Sequence, residues 1–356
     1  MKIVSIVGAR PQFIKAAPVS VALRKQHEER LLHTGQHYDD NMSKVFFEDL
    51  GIPRPDINLE IGSDSHARQT AAIMIGVENY LQQEKPDVVL VYGDTNSTLA
   101  GAIAAAKLHI KIAHVEAGLR SFNRDMPEEI NRIVADKVAD ILFCPTATAV
   151  KNLAGEGITT GVFNIGDVMF DAALKFAPIA EQKSQILERL LIQPKKVFLL
   201  TLHRAENTDS YKNLRNIVTA IIQSNKIIVF PAHPRTVKLL KQFQLYQKLD
   251  RADNISLIEP VSYIDMIVLE KNAEKILTDS GGVQKEAYFY QVPCVTLRNE
   301  TEWVETVADG WNCLVGADIE KILAAINDFL PDREQQGHYG DGKASEKLVE
   351  VLNHSF

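Results

Sequence analysis

Three acidic side chains in the first half of the chain stand where a core has no use for them. They are Asp94 in Gly93-Asp94-Thr95-Asn96-Ser97-Thr98, Glu116 in His114-Val115-Glu116-Ala117-Gly118-Leu119-Arg120-Ser121, and Glu128 in Met126-Pro127-Glu128-Glu129-Ile130-Asn131-Arg132. Separated carboxylates of this kind can take and return protons on a bound molecule. Cationic groups accompany them: Arg10 and Lys15 in the run 8–15 (GARPQFIK), Arg120, Arg132, and in the second half the pairs His203-Arg204 and His233-Pro234-Arg235. Arginine suits two-pronged recognition of phosphate or carboxylate, and histidine can move protons near neutrality. A different device follows in Thr278-Asp279-Ser280-Gly281-Gly282, where an apolar run meets two glycines and then a helical pattern. Such a strand-turn-helix junction points bare N–H groups and the positive helix end at one spot, a seat for a diphosphate. Ser280 adds a hydroxyl, and Glu286 follows in the helix, able to accept from a sugar diol. Phosphate binders together with proton-moving carboxylates fit a nucleoside-diphosphate sugar.

Each signal also has a plainer reading. Asp94 or Thr95 can be an N-cap, Lys15 a solvated helix charge, and one of Glu128 and Glu129 an acid complementing the helix dipole. Ser-Gly-Gly can be a tight turn that only packs a helix on its sheet, and a lone histidine is commonly structural. His114 and Glu116, two apart in an apolar run, are expected on one strand face.

The elements that must position these groups alternate along the chain. Short runs apolar on both faces are expected as strands at 3–8, 30–35, 87–93, 110–117, 141–146 and 162–166, with helices between them, notably over 95–107 and 147–155. A second series follows at 197–202, 226–233, 255–260, 275–280, 292–298 and 312–316. This rhythm implies parallel sheets covered on both sides, an α/β fold of two Rossmann-like domains. The expected domains are 1–170 with a returning C-terminal helix over 341–356, and 171–340. Ligands of open α/β sheets bind outside the carboxyl ends of the strands, so the expected site is a cleft faced by both sheets. Arg10, Asp94, Glu116, His203, His233 and Ser280 all fall at or just past strand ends. The glycine-rich stretch 337–345 reads either as a turn or as the path by which the last helix returns to the first domain.

With 356 residues, 46% hydrophobic and 24% charged, the chain is long enough for two cores. A net charge of −7 argues against a broad nucleic-acid surface. Cys144, Cys294 and Cys313 are widely spaced and read as reduced core residues. No HExxH or CxxC pairing occurs, so no metal is expected. No apolar run is long enough to span a membrane and no leader precedes the first strand, which points to a cytoplasmic protein.

Taken together, GARPQFIK (8–15), GDTNST (93–98), HVEAGLRS (114–121), MPEEINR (126–132), LHRAEN (202–207), TDSGGVQKEA (278–287) and TEWVE (301–305) resemble the non-hydrolysing UDP-N-acetylglucosamine 2-epimerases over essentially the whole chain. The resemblance implies the two-domain architecture of one large glycosyltransferase class (GT-B), a homodimer, and no nicotinamide or other cofactor. It implies anti elimination of UDP to a bound 2-acetamidoglucal, then syn return of UDP with the proton added on the opposite face. By motif, Asp94, Glu116, Glu128 and His203 match the catalytic positions. Arg10, Ser280, Gly281, Gly282 and Glu286 match UDP ligands, with Glu286 on the ribose, and Lys15, Arg120, Arg132, Arg204, His233, Arg235, Thr301 and Glu302 complete the expected binding set. Many GlcNAc-specific members read GTRPE and TERPE where this chain has Ala9, Gln12, Trp303 and Val304. The TEWVE form resembles a sister branch acting on UDP-2,3-diacetamido-2,3-dideoxyglucuronic acid. Regulated members carry QHR where this chain reads Gln36-His37-Tyr38-Asp39, so the resemblance does not extend to their allosteric activation. Rival expectations are a UDP-sugar glycosyltransferase of the same fold, a hydrolysing epimerase releasing free sugar, and a silent UDP-sugar sensor.

Overall fold

A computed structural model describes residues 1–36 and 53–355. The run Gln36-His37-Tyr38-Asp39 lies, beyond Gln36, outside the described residues. The chain divides into two compact units, 1–175 with 337–356, and 176–336.

In the first unit the order is β1 (Lys2–Val7), α1 (Arg10–Leu23), β2 (Glu28–His33), β3 (Ile57–Asn58), α2 (His66–Glu84), β4 (Val88–Tyr92), α3 (Asn96–Lys107), β5 (Lys111–Val115), α4 (Pro127–Val138), β6 (Ile141–Cys144), α5 (Ala147–Gly155), β7 (Val162–Asn164) and the start of α6 (Val168–Lys183). The strands pair in parallel as β3-β2-β1-β4-β5-β6-β7. Strands β4 and β6 are buried throughout, as expected for a sheet with helices on both faces. Val4, Ile6, Val89 and Val91 pack with Ile73, Val77 and Leu81 of α2 and the alanines of α3.

The second unit continues from α6 through α7 (Ile186–Arg189), β8 (Phe198–Thr201), α8 (Ala205–Thr208), α9 (Tyr211–Gln223), β9 (Ile228–Pro231), α10 (Pro234–Gln242), α11 (Tyr246–Asp250) and β10 (Ile255–Ile258). It closes with α12 (Tyr263–Asn272), β11 (Ile276–Thr278), α13 (Gly281–Phe289), β12 (Cys294–Thr296), α14 (Val304–Ala308), β13 (Asn312–Leu314) and α15 (Ile319–Asp328). Its parallel order is β10-β9-β8-β11-β12-β13. Both sheets thus carry the doubly wound arrangement, reversing direction between β1 and β4 and again between β8 and β11. Phe198, Leu200, Phe230 and Leu277 form a core with Leu214, Ile217 and Ile221 of α9.

The chain then returns to the first unit as α16 (Ala344–Ser355), which packs on α1. Asp171 of α6 caps its first turn, accepting from the Ala344 and Ser345 N–H groups at 3.0 and 2.7 Å. All three cysteines are free, and burial pushes the Cys144 thiol up to about 12.

Candidate active site

In the first unit, register brings the chemistry together. Tyr92 lies opposite Val115 in the β4–β5 pair, so the residues just beyond, Gly93-Asp94 and Glu116, emerge side by side. Gly93 N–H donates to the Val115 carbonyl at 2.9 Å and holds the two ends together. Glu116 was expected to share a strand face with His114, but β5 ends at Val115 and Glu116 takes a left-handed φ of 71°. Its N–H and that of Ala117 both donate to the Phe143 carbonyl at 3.0 Å, which stabilises a conformation that non-glycine residues seldom adopt. The backbone therefore turns the two side chains apart. Glu116 pairs with Lys15, and both are buried. Lys15 is an ion-pair partner rather than a solvated helix charge. The pair lies over Gly93, where a Cβ would stand 3.0 Å from Lys15 Nζ and 3.2 Å from Glu116 Oε2.

Asp94 is half-buried and does not cap the following helix; Thr95 does, accepting from Thr98 N–H. Arg132 Nη1 donates to Asp94 Oδ2 at 2.5 Å, and Asn131 Nδ2 donates to the Asp94 carbonyl at 2.8 Å. The two glutamates of α4 separate in role. Glu129 is buried and accepts from Ser121 N–H, Phe122 N–H and Arg132 Nε at 3.0, 2.9 and 3.0 Å, tying down the preceding loop. Glu128 is half-buried one residue earlier in the same helical turn. Arg10 is half-buried at the first position of α1. Gln12 closes this end of the sheet, accepting from Gly8 and Ala9 N–H at 2.8 and 3.0 Å and donating to the Tyr92 carbonyl at 2.7 Å and Thr98 Oγ1 at 3.0 Å.

Arg120 is not brought to this group. Its guanidinium is enclosed, donating to Asp136 Oδ2 at 2.7 Å and to both Glu156 oxygens at 2.6 and 2.8 Å. Asp136, which motif reading did not single out, also lies 2.7 Å from His114 Nδ1. Burial works to raise its carboxyl, but His114 and Arg120 outweigh this and hold it below 3.8.

In the second unit Thr201 and Thr278 face each other at the ends of β8 and β11, their hydroxyls 2.6 Å apart. The next residues include those expected at the site. Asp279, fully buried, accepts from His203 N–H at 3.1 Å, Arg204 N–H at 3.0 Å and Asn207 Nδ2 at 3.2 Å, so it shapes the loop that presents His203. Burial first, and then the neighbouring Arg204, His233 and Arg235, hold the His203 imidazole below 6.5, against the pull of Asp279. His233 caps α10, its Nδ1 accepting from Arg235 N–H at 3.2 Å, while Arg235 grips Asp209 at 2.6 and 2.7 Å.

Ser280 precedes α13 as its N-cap with no side-chain cap bond. Gly281 and Gly282 open the helix, and Glu286, buried, accepts from Tyr263 OH at 3.0 Å. Glu302 lies against this helix start: a Cβ on Gly281 would come within 2.5 Å of its Oε1. A carboxylate there suits the positive helix end, and Arg298 balances it at 3.1 Å. Thr301 faces inward, donating to Gln284 Oε1 at 2.7 Å and accepting from Trp303 N–H at 3.1 Å.

Residues 21–353 match the family described as UDP-N-acetylglucosamine 2-epimerase. A UDP-N-acetylglucosamine 2-epimerase homolog of Methanococcus maripaludis is 60% identical over 354 residues, covering 99% of both chains. The UDP-2,3-diacetamido-2,3-dideoxy-D-glucuronate 2-epimerase of Pseudomonas aeruginosa is 49% identical over 362 residues, again 99% of each. Among solved structures, the Methanocaldococcus jannaschii UDP-GlcNAc 2-epimerase in complex with UDP-GlcNAc and UDP superposes with a TM-score of 0.94 at 48% identity, covering 99% of this chain and 100% of that one. With two doubly wound units, polar groups gathered at their strand ends and this match over nearly its full length, the chain belongs to the UDP-N-acetylglucosamine 2-epimerase family and is an epimerase, an isomerase by class.

Proposed function

We propose that the enzyme interconverts UDP-GlcNAc and UDP-ManNAc without hydrolysis, supplying a surface-polysaccharide precursor in the cytoplasm, and that it works as a homodimer. The observation that most supports this reading is the set of paired carboxylates at the ends of β4 and β5, Asp94 with Arg132 and Glu116 with Lys15. In the proposed reaction one carboxylate among Asp94, Glu116 and Glu128 removes the C2 proton. The C2–H electrons become the C1–C2 double bond as the anomeric C–O bond breaks and UDP leaves. A proton then returns to C2 on the opposite face while UDP re-adds at C1. The C2 hydrogen is only weakly acidic until the leaving group departs, so stabilising UDP matters first. That task falls to Arg10, His203, Arg204, His233 and Arg235 and to the N–H groups of α13 behind Ser280, Gly281 and Gly282, with Glu286 on the ribose. Lys15, Arg132, Thr301 and Glu302 complete the proposed set; Arg120, held by Asp136 and Glu156, serves it from behind.

A second substrate, UDP-2,3-diacetamido-2,3-dideoxyglucuronate, is favoured by the TEWVE run and by the Pseudomonas aeruginosa relative, an epimerase of that sugar by name. Proton NMR in D2O with each UDP-sugar in parallel decides between them. The expected result is the manno epimer carrying deuterium at C2 with no free sugar; product only from the diacetamido uronate selects the second substrate. Absence of exchange in both tubes overturns the epimerisation reading and turns attention to a transferase. Changing Asp94→Asn, Glu116→Gln or Glu128→Gln should abolish turnover while UDP still binds, and full activity in all three would defeat the acid–base assignment.

A further inference from the structure

His114 is fully buried, and both of its ring nitrogens are committed. Nδ1 lies 2.7 Å from Asp136 Oδ1 and Nε2 lies 2.7 Å from the Gly93 carbonyl. A carbonyl oxygen only accepts, so Nε2 carries a proton. Asp136 is kept as a carboxylate by Arg120 at 2.7 Å and by the Gly118 N–H at 3.1 Å, both on its Oδ2, so Oδ1 also accepts and Nδ1 carries a proton too. Two acceptors on one ring call for the imidazolium. The buried charges close on themselves: His114 with Asp136, and Arg120 shared between Asp136 and Glu156.

The Gly93 carbonyl that His114 engages belongs to the peptide bond leading into Asp94. The next carbonyl, that of Asp94 itself, is gripped by Asn131 Nδ2 at 2.8 Å, and the Asp94 carboxylate by Arg132 at 2.5 Å. Asp94 is thus held at three points by groups on β5 and α4. We propose that His114, as an imidazolium backed by Asp136, is a positioning residue that clamps the Gly93–Asp94 peptide and so sets the place of the Asp94 carboxylate. The proposal rests on the epimerase reading, in which Asp94 moves a proton. It explains why a histidine that touches nothing outside the protein carries a complete carboxylate–arginine shell.

The test compares His114→Phe, which removes the clamp, with His114→Gln, whose amide can still donate to the Gly93 carbonyl. With a misplacement of about 1 Å worth about a hundredfold in rate, the Phe variant should lose about a hundredfold in kcat. Its KM and its Kd for UDP, measured by calorimetry, should stay within about twofold, and the Gln variant should recover to within about tenfold of the wild type. A Phe variant within about threefold of wild-type kcat, a Gln variant no better than Phe, or KM and UDP Kd loosening in step with kcat would each overturn the proposal. Long-range proton–nitrogen NMR of the wild-type enzyme labelled at histidine supplies a readout independent of activity and of any variant's folding. It should show two slowly exchanging ring N–H protons for His114 with imidazolium nitrogen shifts; a neutral single-tautomer pattern would overturn the proposal. Should the wild type fail to epimerise either sugar, the functional reading falls, while the ring spectrum still reports on the clamp.

Discussion

Asp136 shows what one buried carboxylate can organise. It receives His114, Arg120 and the Gly118 N–H, and no solvent reaches its side chain. Removing one partner of a buried charge set strands the others, so Asp136→Ala should cost about 3–5 kcal/mol in urea unfolding. Its pH behaviour has a definite sign. The folded carboxyl titrates below 3.8, so its contribution is complete above that value and disappears as pH falls through the lowered folded value. Between the two values the unfolded chain takes up a proton that the folded chain refuses. Melting temperatures measured from pH 5 downward should therefore fall less steeply in Asp136→Asn than in the wild type, and parallel curves would contradict the assignment.

Helix α13 is an element whose start matters more than its length. Its N-cap Ser280 leaves the first N–H groups to other acceptors, and Gly281 allows the Glu302 carboxylate to approach. In Gly281→Ala the added methyl would stand 2.5 Å from Glu302 Oε1, which forces that carboxylate or the helix start to move. Because Ala favours the helix interior over Gly, the helix itself should persist. The expected result is UDP binding weakened at least about tenfold, about 1.4 kcal/mol, with unchanged far-ultraviolet dichroism. Unchanged UDP affinity would show that this helix start is not the diphosphate seat.

Over the molecule as a whole, the last helix belongs to the unit in which the chain began, and Asp171 is its fastening. Both oxygens of Asp171 are engaged, by the N–H groups of Ala344 and Ser345. Asp171→Ala removes an N-terminal cap of α16 and should cost about 1 kcal/mol, up to about 2. Amide hydrogen exchange should then quicken first in α16 and in the face of α1 that it covers. Protection unchanged at both helices would show that packing alone holds the return.

The alternation of short two-sided apolar runs with helices was enough to determine two parallel sheets, because burial on both faces leaves a pattern within each run. The polar turns after those runs were equally legible: Arg10, Asp94, Glu116, His203, His233 and Ser280 do follow β1, β4, β5, β8, β9 and β11. What each charge does there was decided only in three dimensions. Lys15 meets Glu116 across 101 residues of sequence, and Arg120 turns inward to Asp136 and Glu156, 16 and 36 residues away. Glu129 rather than Glu128 ties the loop, and Glu116 leaves its strand in a left-handed turn. Local sequence encodes periodicity and caps, which act over a few residues. The partner of a buried charge depends on sheet register and on which helix crosses above it, and those are properties of the assembled fold.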